Sequence, residues 1–251
     1  MRSIRRGLSA QAHDFDDYRD AFGELVSRLG SFCSYCERAI PTNLAVEHIQ
    51  PKALPAYAGL KGRWDNFLLG CVNCNSTKKE KDVVLSAVLL PDRDNTFVAY
   101  EYAKDGALKV SGHLSPALAE KARALLAIVG LDKRISAVHD ANGKLVASDR
   151  VSQRMQAWLL AETSRDDLQT APSNQALRRQ IVRTATATGF FSIWMKVFEA
   201  DQDMRIRLIE GFSPPAPSPP FGTRGSGCFD ASGLPVTPAP NPDQLADGGK
   251  S

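Results

Sequence analysis

Two Cys-x-x-Cys pairs in the first third of the chain are the clearest candidates for metal chemistry. Cys33 and Cys36 make one pair, and Cys71 and Cys74 make the other. Two residues between cysteines let both sulfurs of a tight turn face one ion, and four thiolates close the tetrahedral shell of structural Zn²⁺. We therefore predict a zinc ion that folds the surrounding module and takes no part in catalysis. An iron–sulfur cluster is the alternative that the spacing leaves open.

Polar residues between and beside these pairs have the types that phosphodiester hydrolysis requires. That reaction needs a base to activate water and a divalent ion to hold the scissile phosphate and the leaving oxygen. His48 can act as the base, because the unperturbed pKa of imidazole is near ~6.5. A hard ion such as Mg²⁺ keeps several waters, so the Glu47 carboxylate and the Asn75 amide oxygen would suffice as its protein ligands. These residues predict a second, catalytic site for Mg²⁺ or Mn²⁺.

The order of these motifs resembles the HNH nuclease family in its zinc-knuckle branch. The shared pattern is Cys-x-x-Cys, Glu-His-Ile, Trp-Asp-Asn and Cys-x-x-Cys-Asn-x-x-Lys. The resemblance implies a ββα-metal finger in which His48 is the general base and Asn66 braces the loop between the strands. It also implies that Glu47 and Asn75 act at the catalytic ion. Glu47 stands where Asp is commoner, and Asn75 stands where many members have His.

A longer phrase around these motifs narrows the resemblance. The phrase comprises Tyr-Cys-Glu-Arg, Glu-His-Ile-x-Pro-Lys and Trp-Asp-Asn-Phe-Leu-Leu-x-Cys. It is similar to the small bacterial HNH effectors of anti-phage systems, of the Septu type and its retron-linked relatives. An ATPase is encoded beside the nuclease in those systems, so the resemblance implies an ATPase partner.

Basic residues cluster in the same module and predict a nucleic-acid substrate, with DNA favoured over RNA. Such side chains bind the phosphate backbone with little regard to sequence, and the pattern contains no obvious element that reads bases. Two other interpretations stay open: an RNA nuclease with the same site, and a zinc knuckle that binds without cutting. The candidate backbone contacts are Lys52, Lys61, Arg63, Lys78 and Lys79.

The sequence pattern around these residues predicts an α+β protein in four segments. Residues 1–30 carry an N-terminal helix at 14–29, with Asp14 as its N-cap and Gly30 as its end. Residues 31–90 form the zinc-stapled ββα module, 91–212 a hairpin and a mainly helical region, and 213–251 a Pro- and Gly-rich tail. The tail is predicted to be flexible or laid over the surface, and the piece FGTRGSGCFD with Cys228 to dock.

The predicted helical region begins with the hairpin TFVAYEYAKDGALKV and the helix PALAEKARALLAIVG, whose inward residues would include Leu118. A helix at 149–169 would bury a stripe of Val151, Met155, Trp158 and Leu159. Residues 174–210 would form two helices, broken near Gly189 or Asp201. The stretch FFSIWMKVF is apolar on nearly all sides, and we favour a partner-docking role for it over a place in the core.

Composition sets outer limits on these interpretations. The formal net charge is only +3, so a nucleic-acid binder would depend on a local basic patch. No apolar run approaches the roughly 18 to 20 residues that cross a bilayer, and the basic N-terminus lacks an apolar signal segment. We therefore predict a cytoplasmic protein without a membrane partner.

Overall fold

The computed structural model describes residues 1–132, 138–139, 141, 145–147, 150–214 and 221–246. Helices and three separate two-stranded sheets, among the described residues, confirm the predicted α+β class. Within the same residues, no helix combines the length and the apolar character needed to cross a bilayer.

The N-terminal helix is shorter than the predicted 14–29. A 3-10 turn at Tyr18–Ala21 leads directly into α1, Phe22–Leu29. The side chain of Asp17 accepts a hydrogen bond from the Arg19 amide, so Asp17 and not Asp14 begins the helical segment. Gly30 ends α1 as predicted, with a φ of 75° that favours glycine.

The ββα module has the predicted order of elements. Strand β1, Leu44–His48, pairs antiparallel with β2, Phe67–Cys71, in a register that sets Leu44 opposite Cys71 and His48 opposite Phe67. Helix α2, Val72–Lys78, follows β2 without a loop. The second cysteine pair therefore spans the junction of β2 and α2, and Asn75 comes one residue later on the same helix.

The next segment contains the predicted hairpin, preceded by a helical turn. The predicted hairpin had included residues 96–99, but Thr96–Ala99 form helix α3. The side chain of Asn95 caps this helix by accepting a hydrogen bond from the Val98 amide. Strands β3, Tyr100–Tyr102, and β4, Leu108–Val110, then pair antiparallel. Helix α4, Pro116–Val129, ends at the left-handed Gly130 as predicted, but Leu118 is 42% exposed and does not face inward.

Strands β5, Val138–His139, and β6, Leu145–Ala147, precede the long helix α5, Arg150–Thr170. The predicted inward stripe of α5 is wrong: Met155 is 46% and Leu159 is 64% exposed, and Val151 and Trp158 are only half-buried. The buried face instead carries two alanines, one leucine and two arginines, and the arginine guanidinium groups donate to carbonyls of other segments. Its members are Arg150, Arg154, Ala157, Ala161 and Leu168.

The chain from 174 to 211 is broken at both predicted positions. Helices α6, Gln175–Thr188, α7, Phe191–Val197, and α8, Gln202–Gly211, are separated at Gly189 and at Asp201. Gly189 has a φ of 79°, and a Cβ there would come within 2.3 Å of the Ala39 nitrogen. This close approach holds the α6–α7 junction against the zinc knuckle, where the Phe190 amide donates to the Glu37 carbonyl at 2.8 Å.

Two hydrophobic cores account for the apolar pattern. The first joins the N-terminal helix, the ββα module, the hairpin and α4, and it includes Leu245 of the tail, so it runs through all four predicted segments. The second lies among α5–α8 and takes in most of FFSIWMKVF, residues 190–198. Burial in the chain's own core removes the reason for treating that stretch as a docking surface. The boundaries of the four segments stay a prediction.

In its described part, the Pro-rich tail lies over both cores, with Phe229 packed against the second. Phe221 and Cys228 are buried, as the docking prediction required, and Leu245 joins the first core. Arg6 connects the tail to the module, since its guanidinium donates to the carbonyls of Asp243 and Phe67 at 2.6 and 3.0 Å. Residues 215–220 and 247–251 of the predicted tail lie outside the described residues.

Candidate active site and zinc centre

The paired cysteines come together in one buried cluster, which we call the zinc cluster. One sulfur from each of Cys33, Cys36, Cys71 and Cys74 lies within 4.8 Å of the others. The Sγ atoms of Cys36 and Cys71 are 3.7 Å apart. Tetrahedral coordination with Zn–S bonds of about 2.3 Å places neighbouring sulfurs at about 3.8 Å, so this cluster fits structural zinc.

Local backbone geometry explains why the sulfurs converge. The first pair lies in a tight turn in which the Glu37 amide donates to the Cys33 carbonyl at 3.0 Å, with Glu37 at a φ of 64°. The second pair caps α2, where the Cys74 amide donates to the Cys71 sulfur at 3.4 Å. The Cys71 amide in turn donates to the Cys33 sulfur at 3.4 Å, which joins the two turns.

Two arginines also contact the sulfurs. Arg38 Nη2 lies 3.3 Å from the Cys71 sulfur, and Arg150 Nη1, from the first turn of α5, lies 3.8 Å from the Cys74 sulfur. Four thiolates around Zn²⁺ carry a net charge of −2, which two guanidinium groups offset. Sequence analysis missed Arg150, because it lies far from the cysteines along the chain and only the fold brings it there.

His48 ends β1 and is held by its ring nitrogen and by two aromatic neighbours. Its Nε2 lies 3.0 Å from the Lys61 carbonyl, and its ring packs edge-on between Tyr18 and Phe67. A carbonyl only accepts, so Nε2 must donate, and Nδ1 remains the basic nitrogen. Burial lowers the pKa of His48 to about 4, against the opposing effect of the Lys61 carbonyl.

Glu47 precedes His48 on β1 and forms a buried ion pair. Its Oε1 lies 2.8 Å from Lys78 Nζ, which also donates to the His48 carbonyl at 2.7 Å. Burial raises the pKa of Glu47, and the Lys78 ammonium opposes that rise. Lys78 is only 3% exposed, so the structure places this predicted phosphate contact inside the protein, on the carboxylate.

Asn75 presents an oxygen beside Glu47. Its Oδ1 is buried and has no hydrogen-bond partner among the described residues. Gly70, on β2, leaves the room for it: a Cβ there would lie 2.5 Å from Asn75 Oδ1 and 3.0 Å from the Glu47 Cβ. A buried amide oxygen without a donor, next to a carboxylate, is the donor set that a hard divalent ion takes. The two residues therefore fit the predicted catalytic ion.

Asn66 holds the loop that follows β1 and lies outside the cavity that Glu47, His48 and Asn75 line. It lies in the 3-10 turn Trp64–Asn66, where its Oδ1 accepts from the Gln50 amide at 2.8 Å. Its Nδ2 donates to the carbonyls of Gln50 and Leu60 at 3.0 and 3.2 Å. These bonds fix the chain just after His48, as the bracing role implied.

A cavity of about 690 Å³, which we call the cleft, brings His48, Glu47, Asn75 and Lys78 together. Of the other predicted basic residues, Lys52 and Lys79 line the cleft, whereas the side chains of Lys61 and Arg63 are exposed outside it and Arg63 pairs with Asp65. The N-terminal helix forms a wall that sequence analysis missed, because no motif connects it to the module. Its members are Tyr18, Arg19 and Phe22.

Comparison with protein families identifies the class of this site. The family model described as HNH endonuclease matches residues 33–81. That range contains the zinc cluster together with Glu47, His48, Asn66 and Asn75, and it ends three residues after Lys78. The match supports the HNH family for this region and a nuclease as the class of enzyme. No curated protein matches the chain.

Proposed function

We propose that this protein is a metal-dependent HNH endonuclease that hydrolyses phosphodiester bonds of DNA with low sequence specificity. The observation that carries the proposal is the cleft itself. A basic imidazole nitrogen, a buried carboxylate and an amide oxygen without a donor converge there on a zinc-stapled ββα unit.

The residues of the cleft divide the chemistry between them. His48 Nδ1 accepts the proton of a water as that water attacks phosphorus, while Nε2 stays bound to the Lys61 carbonyl. Glu47 and Asn75 would hold Mg²⁺ or Mn²⁺. When bound, such an ion stabilises the negative charge that develops on the phosphate and on the leaving oxygen. Lys78 keeps the Glu47 carboxylate in place.

The charges around the cleft suit a nucleic-acid backbone. Lys52, Lys79 and Arg19 line its rim, and lysines and arginines in such positions bind phosphates without reading bases. Lys61 and Arg63 lie outside the cleft and would reach only flanking phosphates. The choice of DNA over RNA rests on the family resemblance, since the same hydrolysis works on either backbone.

A second candidate function is a zinc knuckle that binds nucleic acid without cutting it. Such a module would need the zinc cluster and the rim lysines, but it would not need Asn75 Oδ1 beside a buried carboxylate. The composition of the cleft therefore favours the enzyme.

The finer part of the proposal is a role as effector of a bacterial anti-phage system, with an ATPase partner in the cytoplasm. Its support is the longer sequence phrase around the zinc cluster, and the two Cys-x-x-Cys pairs suit a reducing compartment. Co-purification with the product of a neighbouring ATPase gene is the expected result, and recovery of both proteins separately would contradict it.

The test of the nuclease is cleavage by the purified full-length chain. Supercoiled plasmid and an RNA transcript of the same sequence are incubated with Mg²⁺, Mn²⁺ or chelator, using wild type and Asn75→Ala at equal zinc content. We expect wild type to cleave DNA only when the divalent ion is present, and we expect the cleavage rate to be lower for Asn75→Ala. Cleavage of RNA alone would redirect the proposal to an RNA nuclease. Tight binding without cleavage of either would favour the binding module.

A further inference from the structure

Tyr18 lies outside the residues that match the nuclease family, yet it contacts the candidate base directly. It begins the 3-10 turn Tyr18–Ala21, and residues 33–81 carry the family match. The centroid of its ring lies 4.8 Å from that of His48, at an interplanar angle of 70°. The N-terminal segment thus completes the surroundings of a residue that belongs to the module.

The His48 ring has three neighbours that together restrict its orientation. Tyr18 packs on it from one side, and Phe67 packs on it with centroids 5.2 Å apart and planes at 85°. The Lys61 carbonyl fixes Nε2 at 3.0 Å. A planar ring between two edge-on aromatic rings and one hydrogen bond has few rotamers left. Loss of the Tyr18 ring would remove one of these three restraints.

The same tyrosine ring holds a cation. Lys52 Nζ lies 3.5 Å from the centroid of Tyr18, on the loop that follows β1, and both residues line the cleft. An ammonium over an aromatic face is attracted by the ring quadrupole and loses much of its freedom. Tyr18 therefore keeps the Lys52 charge at the rim, a short distance from the ring of His48.

We propose that Tyr18 is a positioning residue that holds the base His48 and the phosphate-binding Lys52 in one arrangement. This inference rests on the proposed nuclease function and extends it beyond the matched residues. Tyr18 itself takes no proton and touches no reacting atom. The ring of Tyr18, and not its hydroxyl, positions the two residues, so phenylalanine at this position should keep the function.

Kinetics of the full-length protein separate the two contacts. Tyr18→Leu is expected to lower kcat about tenfold or more, because a base displaced by a fraction of an ångström loses alignment, and also to raise KM. Lys52→Met should raise KM and leave kcat near the wild-type value. Tyr18→Phe should retain both constants.

A matched control comes from the same segment. Phe15→Leu removes an aromatic ring that packs on Trp64 and Phe67 but does not line the cleft. It should leave kcat and KM within about twofold of wild type. Equal losses in Phe15→Leu and Tyr18→Leu would reduce Tyr18 to a packing residue and overturn the proposal.

A second measurement does not depend on cleavage. Ring currents from Tyr18 should shift the NMR signals of the His48 ring protons and of the Lys52 side-chain methylenes. Tyr18→Leu should move both sets toward their ordinary positions, whereas Tyr18→Phe should keep them. If wild type cuts neither DNA nor RNA, the nuclease proposal fails, and these shifts still decide whether Tyr18 holds the two residues. Unchanged His48 and Lys52 signals in Tyr18→Leu would contradict the inference.

Discussion

The zinc cluster and the cleft are built on the same short helix but differ in how far their polar atoms are satisfied. In the cluster, the cysteine sulfurs are buried within 4.8 Å of one another and receive amide and guanidinium donors. In the cleft, Asn75 Oδ1 lacks a donor among the described residues, and the Glu47 carboxylate faces a cavity of about 690 Å³. A closed shell suits a structural ion, and an open one suits an ion that must meet a substrate.

The difference also shows how the two sites depend on each other. Cys71 and Cys74 fix the start of α2, and Asn75 is the next residue along that helix. The zinc cluster therefore sets the position of Asn75, the proposed metal ligand in the cleft, and takes no part in the proposed reaction. Breaking the cluster should destroy both sites, whereas breaking the cleft should leave the cluster intact.

The largest effect is expected from Cys74→Ser. Loss of one thiolate should release the zinc and unfold the module, because structural zinc contributes on the order of 10 kcal/mol to the folding of such units. Zinc content and circular dichroism measure the result. Cys228→Ser is the control, since this cysteine is buried outside the cluster. A folded Cys74→Ser protein without zinc would contradict the scaffold role.

His48→Ala should abolish cleavage while sparing the fold. Removal of a general base typically lowers the rate by about 10²–10⁴-fold. Zinc content should match wild type, because His48 does not contact the cluster, whereas the melting temperature should fall modestly, because the buried ring packs on Tyr18 and Phe67. His113→Ala, which removes an exposed histidine away from the cleft, should cut normally. Substantial cleavage by His48→Ala would assign the base to another residue.

Gly70→Ala should weaken the cleft more than the cluster. The new Cβ would lie 2.5 Å from Asn75 Oδ1, so the amide must move from its place beside Glu47. We expect cleavage to fall about tenfold and to require more Mg²⁺, with a stability loss of about 1–3 kcal/mol. At Gly23 an added Cβ meets no described atom within 4 Å, so Gly23→Ala should be neutral or stabilising by about 1 kcal/mol.

The smallest effect is expected from Arg150→Met. Without this guanidinium 3.8 Å from the Cys74 sulfur, zinc should pass several times faster to a chromophoric chelator. Arg154→Met is a matched control, because Arg154 lies one turn further along α5 and donates to the Gly106 carbonyl. Equal release rates in the two variants would show that α5 acts on the cluster only through packing.

Local patterns predicted most of the fold around the site. The cysteine spacing, the strand–strand–helix order and the ends of α1 and α4 at Gly30 and Gly130 all follow from nearby residues. The HNH pattern also assigned Glu47, His48 and Asn75 to one site, and all three line the cleft. These features depend on short-range geometry, which a sequence displays directly.

The remaining features depend on contacts between distant segments. Tyr18 reaches the cleft only because the N-terminal turn packs on β1, and Arg150 reaches the cluster only because α5 begins beside the module. The apolar stripe of α5 predicted a core face, but that stripe is mostly exposed, because the buried face carries Arg150 and Arg154. Lys78 was predicted to contact phosphate, because no sequence pattern indicates its buried ion pair with Glu47.

The central claim is that one metal builds the site and another serves the reaction. Dialysis of the wild-type protein against a chelator, followed by zinc analysis and a plasmid-cleavage assay, tests it most directly. The account predicts that about one zinc per chain survives dialysis, that cleavage stops, and that Mg²⁺ or Mn²⁺ alone restores it. Full cleavage by the dialysed protein in chelator, or recovery only when zinc is added, would contradict the account.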